Sequence, residues 1–110
     1  MPTALKNALS SSIGTTPVDL YTAPVSTTTT LVALTLANRH AAIVTADISV
    51  TDTSTGTTCY ILKGVEIAVG GAEVPIGSVQ RLVLEETDKI TISCNTSGGV
   101  DAILTLMERT

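Results

Sequence analysis

His40 is the only histidine of the chain and lies in the connection Asn38-Arg39-His40-Ala41. A histidine works as a general base when a nucleophile stands beside it and a third group orients its ring. No serine or cysteine sits in a nucleophile-elbow pattern, so His40 reads as a solvent-facing loop residue. One histidine and two distant cysteines, Cys59 and Cys94, give no zinc spacing either. Both cysteines fall in apolar strand contexts and read as buried structural thiols; a disulfide between them and a reactive thiol are the alternatives.

Oxygen ligands are the other chemistry these residue types suggest. Asp52-Thr53-Ser54-Thr55-Gly56 has the opening of an oxygen-ligand calcium loop. Such a loop wants a bidentate glutamate near its twelfth position, and Lys63 stands there. A plain hairpin loop is the expectation. For the acidic group Glu85, Glu86 and Asp88 a weakly bound cation is the alternative, and a solvated turn that blocks edge pairing is the expectation. Gly70-Gly71 and Gly98-Gly99 read as turn glycines, since neither pair opens a helix that would hold a phosphate. Asn95-Thr96-Ser97 matches a glycosylation sequon, which means little without a secretory signal. No catalytic constellation emerges, and no metal or organic cofactor is expected.

The elements that would position any site are strands. Aliphatic residues alternate with threonine in Leu31-Val32-Ala33-Leu34-Thr35-Leu36, Ile43-Val44-Thr45-Ala46-Asp47-Ile48, Lys89-Ile90-Thr91-Ile92-Ser93-Cys94 and Ala102-Ile103-Leu104-Thr105-Leu106. Gly, Ser, Thr and Asp clusters separate them. Short period-2 segments at near-regular spacing predict an all-β fold, an antiparallel β-sandwich of jelly-roll type with about eight strands. An up-and-down barrel is the runner-up. Expected inward residues are Val18 and Leu20; Val32, Leu34 and Leu36; Val44, Ala46, Ile48 and Val50; Leu82 and Leu84; Ile90 and Ile92; Ala102, Leu104 and Leu106. Gly64 is expected to break the strand begun at Thr58, and Pro75 to confine its segment to an edge. The next strand is read from Gln80 to Leu84.

The 110 residues make one domain with no Phe, no Trp and two Tyr. Leu, Ile, Val and Ala must therefore fill a thin core, at roughly 1.5–3 kcal/mol per fully buried large aliphatic side chain. With a mean hydropathy of +0.42, this composition implies that association supplies part of the stability. The net charge is −4 and the six basic residues are scattered singly, so no stripe tracks a nucleic-acid backbone. No segment reaches the length of a membrane helix. The N-terminus lacks the pattern of a signal peptide, so synthesis in a cytoplasm is expected.

Residues 1–16 differ from the rest. Leu5, Ala8 and Leu9 have i, i+3, i+4 spacing, and a polar stretch from Ser10 to Thr16 follows. The expectation is an N-terminal arm over residues 1–16 and a β-sandwich over residues 17–110. The arm is either a frayed end or a docking segment that places Leu5 and Leu9 against a neighbouring subunit. Those two leucines are the candidate interaction residues.

Several segments follow one another in a fixed order: Leu20-Tyr21-Thr22-Ala23-Pro24, Leu34-Thr35-Leu36-Ala37-Asn38, Tyr60-Ile61-Leu62-Lys63, and Arg81-Leu82-Val83-Leu84-Glu85 with Asp88-Lys89-Ile90-Thr91-Ile92. That order resembles the small β-sandwich virion proteins of tailed bacteriophages over about residues 18–108. The resemblance implies a non-enzymatic structural protein, a capsid cement or decoration protein of the head, or a neck, tail or baseplate element. It further implies a homo-oligomer, a trimer, bound to the major capsid protein or other virion proteins, made in a bacterial cytoplasm and carried in the virion. Nucleic acid and membrane are not expected partners. A host-surface or carbohydrate-binding module is the other class, weakened because only Tyr21 and Tyr60 could form a sugar platform.

Overall fold

The computed structural model describes residues 3–76 and 81–110. Gln80, the expected start of one strand, and the first two residues of the expected arm lie outside them. Nine strands form among the described residues: β1 (Thr3–Ile13), β2 (Val18–Thr22), β3 (Thr28–Asn38), β4 (Val44–Asp52), β5 (Thr57–Ile67), β6 (Ala72–Ile76), β7 (Leu82–Leu84), β8 (Lys89–Cys94) and β9 (Val100–Arg109). No helix among the described residues is long and apolar enough to cross a membrane.

The strands make two antiparallel sheets. Sheet I has the order β1-β9-β3-β6, and β7 also pairs with β3; sheet II has the order β2-β8-β4-β5. β6 pairs with β3 between Leu34 and Ala37 and β7 pairs with it between Thr29 and Leu31, so the two share one edge as a single split strand. Eight strand positions result. The chain changes sheet at every connection except β4 to β5 and β6 to β7. This interleaving is a jelly roll, the expected sandwich, and it excludes the up-and-down barrel, whose consecutive strands would all be neighbours.

Alternation places one face of each sheet against the other. Leu34, Leu36, Val44, Ala46, Ile48, Ile90, Ile92, Leu104 and Leu106 are fully buried between the sheets. β3 departs from the simple period. Leu31 lies opposite Leu106 and Ala33 opposite Thr105, so Val32 is an extra residue in the ladder. Leu31 and Leu34 both point inward as a result, and Val32, expected in the core, is half-buried. A bulge re-aims the side chains that follow it, which simple alternation cannot foresee. Gly64 does not end its strand. It takes a φ of 66° within β5, which runs on to Ile67, because glycine adopts that conformation without a Cβ clash.

Residues 3–13 do not stand off from the sandwich. They form β1, paired with β9 in an unbroken register from Thr3 opposite Arg109 to Ser10 opposite Ala102. The helical spacing of Leu5, Ala8 and Leu9 is overridden by the hydrogen-bonding edge that the ten-residue β9 offers. Leu5, Asn7 and Leu9 lie on one face of the strand, and Lys6 and Ala8 on the other.

Candidate functional site

The residues singled out for catalysis are dispersed. His40 is exposed in the bend after β3, and its backbone N–H donates to Asn38 Oδ1 at 2.7 Å. Cys94 is buried, its Sγ within 3.2 Å of the Ile13 carbonyl and 2.9 Å of the Thr96 carbonyl. Cys59 is exposed on β5, contrary to the buried thiol expected there. It sits on the edge strand of sheet II, at the Thr57 end of β5, where residues 57–60 are all exposed. Cys59 lies opposite Val50 while Cys94 lies opposite Ala46, on the other side of β4.

The two acidic segments, read separately along the chain, meet in space. Asp52, Glu85 and Asp88 bring carboxylate oxygens within 4.8 Å of one another, where the β4–β5 loop folds onto the β7–β8 turn. Three carboxylates are a donor set that suits a hard cation. Their present bonds are those of a loop clasp. Asp88 is buried, with Oδ1 accepting the Thr53 N–H at 3.3 Å and Oδ2 the Glu85 N–H at 3.1 Å. Asp52 accepts from the Ser54 hydroxyl at 2.6 Å and the Ser54 N–H at 3.0 Å, and these bonds hold its carboxyl below the usual range.

Tyr21 and Tyr60 stand on opposite edges of sheet II, on β2 and β5, so they form no shared platform. The Tyr21 hydroxyl donates to Glu108 Oε2 at 2.5 Å and lies 2.9 Å from Thr29 Oγ1; Lys6 Nζ pairs with Glu108 Oε1 at 2.8 Å. Burial, reinforced by the Glu108 carboxylate, pushes the phenol up to about 12. Lys6 first, and then the Tyr21 hydroxyl, hold Glu108 below its ordinary value. This cluster joins β1, β2, β3 and β9 across both sheets. At the far end of β1, Asp101 Oδ1 accepts the Ser12 N–H at 2.9 Å and pairs with Arg39 Nη1 at 3.1 Å. Ser12 and then Arg39 lower the Asp101 carboxyl.

A further sequence-missed residue is Asn38, buried at the end of β3. Its Nδ2 group donates to the carbonyls of Ala42 and Ile67 at 3.0 Å and Ala68 at 3.1 Å, which ties the β3–β4 turn to the end of β5.

The largest unsatisfied feature is the outer face of sheet I. Register sets two rows across it. Leu9 lies opposite Ile103, which lies opposite Thr35, and Val74 on β6 passes Thr35 on the other side. Leu5 lies opposite Met107, Met107 opposite Thr30, and Thr30 opposite Val83. Five of the nine strongly exposed large apolar side chains among the described residues are here: Leu5 (75%), Leu9 (66%), Val74 (57%), Val83 (56%) and Ile103 (53%). Asp101 with Arg39 closes one end and Arg109 the other. An apolar patch with a polar rim is the composition of a contact surface. Leu5 and Leu9 therefore fall within a larger face. Its other members had a signal in the sequence: Ile103 and Met107 occupy the outward parity of a strand whose inward parity, Ala102, Leu104 and Leu106, already filled the core.

No protein-family model and no curated protein sequence matches this chain. Solved structures do match its fold. One is described as Bacillus endospore appendages forming a family of disulfide-linked pili; it has 13% identity and a TM-score of 0.56, covering 98% of this chain and 88% of that one. A second is the acidic stable capsid of the Helicobacter pylori bacteriophage KHP30, with 14% identity and a TM-score of 0.54, covering 96% and 86%. A third is the VP2 protein of infectious bursal disease virus, with 14% identity and a TM-score of 0.54, covering 96% of this chain but 31% of VP2. At such identity the likeness is one of fold.

Proposed function

We propose that the chain is a non-enzymatic structural subunit of a virus particle, a cement or decoration protein that binds the head of a tailed bacteriophage. The observation that carries this reading is the apolar outer face of sheet I on a rigid jelly roll. Five large aliphatic side chains exposed by more than half cover one face of the sheet, whereas the candidate catalytic residues lie apart. The capsid and pilus folds it resembles are consistent with a part in an assembly. In this reading the chain is made in a bacterial cytoplasm, forms a homo-oligomer, a trimer, and joins the major capsid protein through contacts that include Leu5 and Leu9. Many weak contacts at lattice junctions then sum to firm attachment.

The test is direct. Particles released by cells that make the chain are purified, analysed by mass spectrometry and imaged by cryo-electron microscopy. The expected result is a regular density on the head surface that the jelly roll fits, with sheet I turned toward its neighbours. Density confined to a neck, tail or baseplate would move the protein to that part of the virion. Absence from the particle would end the proposal. The sugar-binding alternative is less favoured because Tyr21 and Tyr60 stand on opposite edges of sheet II.

A further inference from the structure

The four sheet edges differ in how they are guarded. β7 has three residues and β6 carries Pro75, which cannot donate to a new ladder. β2 has five residues and follows Pro17. β5 is long, but its register is broken twice, and Lys63 and the positive-φ Gly64 sit in its middle. Short strands, prolines, bulges and lysines are the usual means of preventing edge pairing. β1 has eleven residues, no proline in its described span and a regular register from Thr3 to Ser10. Among the described residues it has β9 on one side and no strand on the other. Its one charge, Lys6, is drawn to Glu108 of the same sheet at 2.8 Å and so is neutralised.

We infer that β1 pairs antiparallel with β1 of a second copy about a twofold axis through Asn7, joining two sheets I into one continuous sheet. This deepens the assembly reading and rests on it only for its setting. The partner is a second copy because the strand is self-complementary in one register. Antiparallel neighbours must present the same face, so the twofold axis has to pass through a residue. An axis through Lys6 would set two lysines opposite each other, which is destabilising. An axis through Asn7 sets Lys6 opposite Ala8 and Leu5 opposite Leu9, and of the axes that avoid the lysine pair it engages the longest part of the regular stretch, Ala4 to Ser10. In that register each apolar row runs on into the other copy: the Leu9–Ile103 row meets the Leu5–Met107 row of the second molecule. The unpaired backbone groups of β1 and its two most exposed leucines are then satisfied together. Symmetric homo-oligomers most often close through such isologous twofold contacts, and a lattice component can carry one beside a threefold contact made elsewhere.

Cross-linking reads the register. In a Cys59→Ser background, which removes the exposed thiol, Asn7→Cys should form a disulfide-linked dimer on mild oxidation. Directly opposed residues lie roughly 4.5–5.5 Å apart at Cα, within the roughly 4.4–6.8 Å span of a disulfide. Leu5→Cys alone should link poorly, but a mixture of Leu5→Cys and Leu9→Cys chains should link efficiently. Separately, the Leu5→Lys/Leu9→Lys double variant should weaken self-association at least tenfold, with unchanged circular dichroism. Mixing it with the Leu5→Glu/Leu9→Glu variant should restore association, because lysine then faces glutamate. The inference is overturned if the folded Asn7→Cys protein stays unlinked, or if light scattering finds the unmodified chain monomeric at every concentration reached. A twofold dimer that never appears on a particle would leave this inference standing and remove the virion reading; a particle-bound chain without the Asn7 cross-link would do the reverse.

Discussion

Sheet II turns Asp19, Asp47, Ser49, Lys89 and Thr91 to solvent, and it ties them into short pairs. Lys89 lies 3.5 Å from Asp19, Lys63 lies 3.7 Å from Asp47, and the Thr51 and Thr58 hydroxyls are 3.0 Å apart. Sheet I turns Leu5, Leu9, Ile103 and Met107 outward across the same kind of ladder. Both faces are strand surfaces with the same backbone geometry, so the difference lies in the side chains alone. One face is finished by its own polar contacts. The other remains open, and covering it with another molecule would remove apolar area from water at roughly 25 cal/mol per Å². The threonines soften the contrast, since Thr30, Thr35 and Thr105 lie between the apolar residues and interrupt the apolar area.

Adjacent residues of β9 give the largest test of this contrast. Leu104 is fully buried and Ile103 is half-exposed on the outer face. Leu104→Ala should destabilise the monomer by about 2–5 kcal/mol in urea unfolding. Ile103→Ala should fall within about 0.5 kcal/mol, as exposed substitutions do, while weakening self-association. Equal losses of monomer stability from both would show that the outer row already has a partner within the chain.

A second test asks what holds the two sheets together at the Asn38 end. Asn38→Ala removes the side-chain donor to the carbonyls of Ala42, Ile67 and Ala68, of which Ala68 keeps the Gly71 N–H, and about 1–3 kcal/mol of stability should be lost. The Asn38→Asp protein should not recover that loss, since a carboxylate cannot donate. Full recovery by aspartate would refute the role of Nδ2.

Acid should act on sheet I at two points and on sheet II at one, the Asp52 loop. Glu108 and Asp101, which anchor the two ends of β1, are both lowered from ordinary values of 4.5 and 3.8. A lowered carboxyl adds stability that is complete above the unfolded value and is lost as pH falls through the folded one. The melting temperature should therefore drop below about pH 4.5, and Glu108→Gln should flatten that drop. Hydrogen exchange should show β1 opening first. Tyr21 acts in the opposite sense. Its phenol is raised from 10.0 to about 12, so its contribution is complete below 10 and is lost as pH rises toward 12. An acid profile unchanged in Glu108→Gln would remove the anchoring role.

The smallest effect belongs to the polar face. Lys89→Ala should change stability by about 0.2–1 kcal/mol, as exposed ion pairs do, and less in high salt. A larger loss, or one insensitive to salt, would mean that the outer face of sheet II is not simply solvated.

Much of this architecture was legible along the chain. The alternation in β4, β8 and β9 identified their inward residues. The positions that misled share a cause. Val32 looked like core because a bulge is invisible to a count of twos, and only the pairing of Leu31 with Leu106 and Ala33 with Thr105 shows the extra residue. Asp52 and Asp88 appeared as two unrelated loops because 35 intervening residues hid their contact, although each carries the short polar side chain suited to capping a turn.

What the amino-acid order determined by itself is local. It established which stretches are extended, where the chain turns, and that reactive side chains are few and scattered. Tertiary structure decided which strands meet. Residues 3–13 carry a weak pattern of either period, and they became an edge strand because β9 had an open side to bond. β9 shows its inward row, Ala102, Leu104 and Leu106, but its sequence does not say which strands carry its outward Ile103 and Met107 on into a wider face. The jelly-roll crossing order decides that by setting β9 between β1 and β3, with its even residues toward sheet II. Backbone pairing is a long-range event, whereas alternation records only which residues share a face.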